Sequence, residues 1–326
     1  MKTEEWNKRG SGHSIRAGSI LLLFLPLLAV LLLAGCQTAS RPAGSAEWDK
    51  YVAEYLDAYF AANPNFAVSI GRHEFDGKLP DFSKVALDRE IARLHSERAR
   101  AAALTDNLDQ RQQFERDYVI AAIDSDLFWR ESARWPYRNP YFYSDRLDPQ
   151  VYLTRLYAPL DRRMRAFINY EKALPTALEQ IRANLQTPMP RTYVDFGRLT
   201  FGGLAQYFDH DVKGIFASVK DAQLQSDFAT ANTDAIRALK SLDLWFASQR
   251  AKANENFALG ADLFHQMLYA TERVDISLDQ LEVIGRQDLE RNLAALKEAC
   301  AQFDPGKTLA DCAAKQIGRA SCRERV

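Results

Sequence analysis

The sequence predicts an all-α, mainly helical protein behind an export leader, and three observations carry that expectation. Glycine and proline are sparse, 15 and 12 in 326 residues, which leaves little turn chemistry for an all-β fold. The long stretches between prolines place apolar residues at three- and four-residue spacing, the period of a helix with one buried face. Hydrophobic residues make up 47% of the chain and charged ones 26%, enough for one large domain or two smaller ones with a real core. The formal net charge is -1, so the overall balance gives nucleic acid no footing as a partner. No repeat of about 20–50 residues is visible, which argues against a solenoid.

Residues 1–36 read as a lipoprotein signal peptide. Lys8, Arg9 and Arg16 form a basic front, and Ile20 to Leu33 is a nearly pure apolar run. That run is too short to span a bilayer comfortably as a mature helix. It closes on Leu33-Ala34-Gly35-Cys36, a lipobox in which small residues suit the signal peptidase and the Cys36 thiol takes the lipid. The protein's partner is then the membrane, through the lipid on Cys36. Gln37, and not Asp, follows the cysteine, so sorting to the outer membrane, facing the periplasm, is expected by analogy. Residues 37–45 (QTASRPAGS) read as a flexible tether.

The helical domain is expected over 46–315. Its first helix starts near Ala46 and turns Trp48, Tyr51, Val52, Tyr55, Leu56, Tyr59 and Phe60 inward, until Asn63-Pro64 stops it. Residues 66–83 mix Gly, Pro and Asp and read as an ordered loop. A charged helix follows over about 84–104. Another covers 109–135, with Phe114, Tyr118, Ala121, Ala122, Ser125, Phe128 and Trp129 on its inward stripe and Trp135-Pro136 at its end. An aromatic loop over 137–148 leads to two helices, at about 149–170 and 175–185, with Pro175 opening the second. Over 190–216 the pattern is undecided, because Gly197, Gly202, Gly203 and Gly214 dilute it. Helices are expected again over 223–248 and 259–270. The last begins at a capping box, Ser277 with Gln280, beside an Ile276–Leu281 staple. Its apolar stripe runs through Leu281, Ile284, Leu289, Leu293, Leu296, Cys300 and Phe303. The ending 316–326 reads differently: Ile317 to Val326 matches one reading frame of a short-read sequencing adapter, so the natural gene is expected to continue.

Several phrases, in order, resemble the bacterial domain-of-unknown-function 885 family. They are Pro64 with residues 69–81 (SIGRHEFDGKLPD), Asn139-Pro140, Tyr157-Ala158-Pro159 and Leu174-Pro175. Residues 259–264 (LGADLF) and 281–289 (LEVIGRQDL) complete the set. The resemblance implies a helical zinc peptidase, with a His-Glu-x-x-x-x-His-type metal helix in a C-terminal half absent from this chain. Zinc is therefore expected for the full-length parent and no cofactor for the chain itself, which would wall a channel for a peptide substrate. The rival expectation is a non-enzymatic helical lipoprotein that binds or scaffolds in the envelope.

No complete catalytic constellation stands in the sequence. A zinc helix needs two histidines about one turn apart with a glutamate base. His73-Glu74 supplies only half of that, and Gly77 stands where a second histidine would be. His73, Asp76 and His210 are the candidate substrate-channel residues, each weighed against a plain structural role. Asp209-His210-Asp211 places three ligand types in a row, but neighbours on a helix point about 100° apart and cannot converge on one ion. Arg162, Arg163 and Arg165 read as a solvated face or ion pairs, with substrate-carboxylate binding the alternative. Tyr141-Phe142-Tyr143 reads as core packing or a channel wall. An oxidising compartment and the turn at residues 303–306 favour a Cys300–Cys312 disulfide, with two buried or free thiols the alternative.

Overall fold

Short polar side chains set where the long helices begin. The computed structural model describes residues 45–323; the leader, Cys36 and the tether up to Gly44 lie outside the described residues. Ser45 accepts from the Trp48 N–H to cap α1 (Ala46–Ala62), and Ser83 does the same for α2 (Lys84–Ala103). Asp109 and Gln112 form a reciprocal capping box at the start of α3 (Gln110–Leu127). Gln112 is fully buried because its amide also bonds the Ser45 carbonyl (3.1 Å) and Asp49 (2.9 Å), tying the origins of α1 and α3 together. Further along come α4 (Leu160–Asn184), α5 (Ala222–Gln249), α6 (Ala261–Glu272), α7 (Leu278–Phe303) and α8 (Leu309–Arg323). Asp221 caps α5, and Ser277 with Gln280 forms the capping box that opens α7.

Among the described residues there is no β-strand, only an isolated bridge between Pro190 and Asn254. The protein is all-α. No helix among them is long and apolar enough to cross a membrane.

Two cores hold the helices. The smaller one gathers Trp48, Tyr51, Leu94, Ile123 and Leu127 from α1–α3. There the Trp48 indole donates to Glu115 (3.0 Å) and the Tyr51 hydroxyl to the Glu97 carbonyl (3.1 Å), so the polar tips of both rings are satisfied. The larger core lies where α4 packs along α5. Met164, Phe167, Tyr170, Leu174 and Ile181 meet Phe228, Ala235, Leu239 and Phe246, all shielded from water. Each large side chain buried there is worth roughly 1.5–3 kcal/mol.

That core explains where the structure departs from the sequence pattern. The two helices expected around Pro175 are one helix, α4, with the proline inside it. A mid-helix proline costs roughly 3 kcal/mol. Leu174, Ala177, Leu178 and Ile181, buried on the same stretch, more than offset it. The undecided stretch 190–216 is almost wholly helical, as Arg191–Gly197, a π turn Arg198–Gly202, Gly203–His210 and Val212–Ile215. Gly197 is needed for contact: a Cβ there would stand 2.6 Å from the Phe246 ring. The expected loop 66–83 also begins as a helix, Pro64–Ser69, with proline at its first turn.

Two stripes read as inward largely face solvent, although Phe128 at the end of the first is buried. On α3, Phe114 is 70% exposed and Tyr118 66%, because the Gln112 tie and the burial of Ile123 and Leu127 rotate the opposite face inward. On α7, Ile284, Leu289, Leu293 and Leu296 are exposed and only Cys300 is buried. α7 packs chiefly on α8, with Cys300 and Cys312 joined by a disulfide whose Cα atoms are 5.8 Å apart. Gly306, at φ +81, makes the turn between the two helices.

One polar group in the large core has no partner. Glu171 on α4 is fully buried, neither carboxylate oxygen has a hydrogen-bond partner, and desolvation pushes its pKa up to about 9. Between about 4.5 and 9 the folded state keeps a proton that the unfolded chain releases. Stability therefore falls as pH rises through that window. Thermal melts at pH 5 and pH 8 are expected to show this loss, and Glu171→Gln is expected to abolish most of it; an equal fall in both proteins contradicts the assignment.

The disulfide closes a 12-residue separation, for which loop-entropy arguments give roughly 2–3 kcal/mol of local stabilisation. Alkylation and mass spectrometry of exported protein are expected to find Cys300 and Cys312 unmodified until reduction. Two freely alkylated thiols would refute the pairing.

Candidate functional site

The segment after the Pro64–Ser69 helix is pinned at both ends. Gly71 (φ +98) reverses the chain, a 3-10 turn covers His73–Phe75, and Gly77 (φ +76) turns it again. Gly77 sits hard against α4, where a Cβ would meet Asn169 Cβ at 2.5 Å and the Ala166 carbonyl at 2.7 Å. Its N–H donates to the Tyr152 hydroxyl at 2.9 Å. Tyr152 belongs to the short helix Gln150–Thr154, and this hydrogen bond aligns the loop with the residues that follow it.

The loop thereby brings three chemically active side chains together. His73 Nδ1 lies 3.1 Å from Asp76 Oδ1, and the Tyr157 hydroxyl donates to Asp76 Oδ2 at 3.2 Å. The imidazole stacks flat on the Tyr157 ring, centroids 3.8 Å apart and planes 7° from parallel. Burial, then the charge of Asp76, raises the Tyr157 pKa well above the ordinary phenol value, so Tyr157 stays a donor at neutral pH. Asp76 thus engages both neighbours, one through each carboxyl oxygen. Nε2 has no hydrogen-bond partner among the described residues, while the His73 side chain keeps 25% of its exposure. The arrangement can accept a hydrogen bond or a proton from a bound molecule. It does not fit zinc. One imidazole nitrogen and one carboxylate are too few for a tetrahedral site, and no group of three or more His, Cys, Asp or Glu that could hold a metal occurs among the described residues.

The other candidates make no hydrogen bond with this cluster. His210 ends the Gly203–His210 helix and makes no hydrogen bond with His73 or Asp76. Its neighbour Asp209 is occupied by Lys213 (3.0 Å) and Lys240 (3.1 Å), which hold its pKa down to about 2. His95 pairs with Glu131 on the surface. Arg163 is buried and donates to the carbonyls of Tyr152 and Leu153, closing the short helix beneath the loop, whereas Arg165 pairs with Asp221. Phe142 and Tyr143 are core, and Tyr141 is 43% exposed. The sequence reading passed over Tyr157 as a partner for His73. It also passed over Arg93, Arg130 and Arg146; an arginine inside the apolar run Leu127-Phe128-Trp129-Arg130 was the available signal.

The loop lies within a longer stretch that is similar to known proteins. The family model for a bacterial protein of unknown function, DUF885, matches residues 64–319. The chain belongs to the DUF885 family. The match runs from the Pro64 helix into the stretch Ile317–Val326, and it lends no support to an adapter origin for that stretch. This DUF885 chain is also similar in fold to a solved structure from Shewanella oneidensis, a candidate lipoprotein of unknown function. The TM-score is 0.70 at 16% identity, covering 81% of this chain and 50% of the other. The DUF885 chain thus spans about half the length of that relative. No curated protein matches it.

Gly77→Ala tests whether the loop needs its close approach. The left-handed backbone alone costs about 1–2 kcal/mol for a residue with a Cβ, and the contact with α4 adds to it. Urea unfolding should show a loss of at least that size; an unchanged midpoint would show the loop to be loosely held.

Proposed function

We propose that this chain is the substrate-walling helical half of a lipid-anchored envelope hydrolase acting on peptides. One observation carries the reading: two of the family's phrases, residues 69–81 and 157–159, meet in a single polar cluster whose imidazole keeps one nitrogen unpaired. A pinned loop that spends an Asp and a Tyr on orienting one His supports a role in ligand contact. In this reading His73 Nε2 bonds a polar group of the peptide, and Asp76 and Tyr157 fix the ring. Zinc belongs to the full-length parent, bound by residues outside this chain, and no step through it follows from the residues present. The membrane is the second partner, through Cys36, on the periplasmic side of the outer membrane.

A specific observation favours the rival, a binding module without catalysis. Between α1 and α3 runs an open groove of about 520 Å³ lined by Tyr55, Leu56, Tyr59, Phe114 and Tyr118. An exposed aromatic surface of this size suits a partner or a ligand.

Metal analysis and a mixed-peptide cleavage assay separate the two. The 326-residue chain is expected to hold no stoichiometric zinc and to cleave nothing; the product of the extended gene should bind about one zinc and lose activity to a chelator. In that longer protein His73→Ala should raise KM or lower kcat/KM by about tenfold with zinc content unchanged. A metal-free, inactive full-length protein favours the binding module. The anchor has its own test: Cys36→Ala should leave an unlipidated precursor, and normal maturation would remove the lipobox reading.

A further inference from the structure

A second cleft, of about 540 Å³, opens where the end of the signature loop meets α1, α2 and the segment before α4. Four arginines line it, Arg89, Arg93, Arg130 and Arg146, with the carboxylates of Asp81 and Glu90. The rest of the wall is largely apolar and includes Leu79, Phe82 and Phe142.

The donors in this cleft are not all partnered. Arg93 forks onto Glu90 through Nε (2.8 Å) and Nη2 (2.7 Å), yet its buried Nη1 has no partner. Arg130, 6% exposed, donates to Asp126 at 2.7 Å. Arg146 has no ion pair among the described residues, and its one hydrogen bond goes to the Phe142 carbonyl. The guanidinium of Arg146 lies 4.1 Å over the Phe142 ring, and that of Arg130 lies 5.2 Å over the same ring. Burial and the nearby Arg130 charge push the Arg146 pKa down, against the pull of Asp126 and Asp145. Asp126 and Asp145 act on Arg146 through their charge alone, and no carboxylate among the described residues closes an ion pair on its guanidinium. A desolvated guanidinium without a carboxylate costs stability unless something else supplies the charge. A guanidinium fork left without a carboxylate partner matches a planar carboxylate. The apolar wall suits a carbon body beside it.

We propose that this cleft is a binding site for a small organic carboxylate with an apolar body. Arg146 and the Nη1 of Arg93 hold the carboxylate, while Leu79, Phe82 and Phe142 pack on the body.

Titration calorimetry on the full 326-residue chain in detergent tests it, with N-acetylphenylalanine as probe. The acid is expected to bind, and its amide to bind about tenfold or more weakly. Arg146→Met should abolish the difference between acid and amide, whereas Arg237→Met, at an exposed arginine paired with Asp234, should leave it intact. Without ligand, Arg146→Met should melt no lower than the parent chain, because the guanidinium it removes is uncompensated. Equal binding of acid and amide would overturn the site. So would inorganic phosphate displacing the acid at equal concentration. A large loss of stability in Arg146→Met would instead make Arg146 a structural cap on the Phe142 carbonyl, and would also overturn it. Binding of the acid by a full-length protein that cleaves no peptide keeps this site and removes the hydrolase reading.

Discussion

The packing of α4 along α5 is the interaction on which the rest of the molecule depends. Phe167, Tyr170, Leu174 and Ile181 on one helix and Phe228, Ala235, Leu239 and Phe246 on the other are shielded from water together. The outer face of α4 then becomes the platform for the signature loop, since Gly77 rests on Ala166 and Asn169. The same seam fixes the 191–215 helices, because Gly197 lets that segment press against the Phe246 ring. It also absorbs two local costs, Pro175 inside a helix and the unpartnered Glu171. Both are tolerable only because the surrounding apolar burial is large.

The helical class, the capping box at Ser277 and much of the buried face of α1 were legible from local chemistry, which does not need the fold. What the pattern missed depended on tertiary contacts. Pro175 reads as a boundary until the core beneath it is known. Four glycines read as helix-poor until Gly197 is seen against Phe246. Phe114 and Tyr118 fit a helical period as well as Ile123 and Leu127 do, and only the Gln112 tie decides which face turns inward.

The candidate site was half legible. His73 and Asp76 stood out as residue types, and the loop around them as a phrase. Tyr157 was not legible as their partner, because it lies 81 residues from Asp76 and meets it only through the turn at Gly77 and the Tyr152 hydrogen bond. His210 stood out equally, yet it ends a helix and makes no hydrogen bond with His73 or Asp76, and its neighbour Asp209 is taken by two lysines. Residue type ranks candidates; the backbone decides which of them meet. Nor was the arginine cleft visible, since its charges come from α2, the π turn at Arg130 and the 3-10 turn at Arg146.

The claim at the centre of this account is that the loop over 69–81 is a rigid part of the α4 face and not a mobile surface segment. Native-state hydrogen exchange at the Gly77 amide reads that directly. If the N–H is held by the Tyr152 hydroxyl against α4, its exchange should be slowed by several orders of magnitude, close to that of the α4 amides themselves. Exchange at the rate of an open loop would contradict the account, and with it the reason for His73, Asp76 and Tyr157 to act as one site.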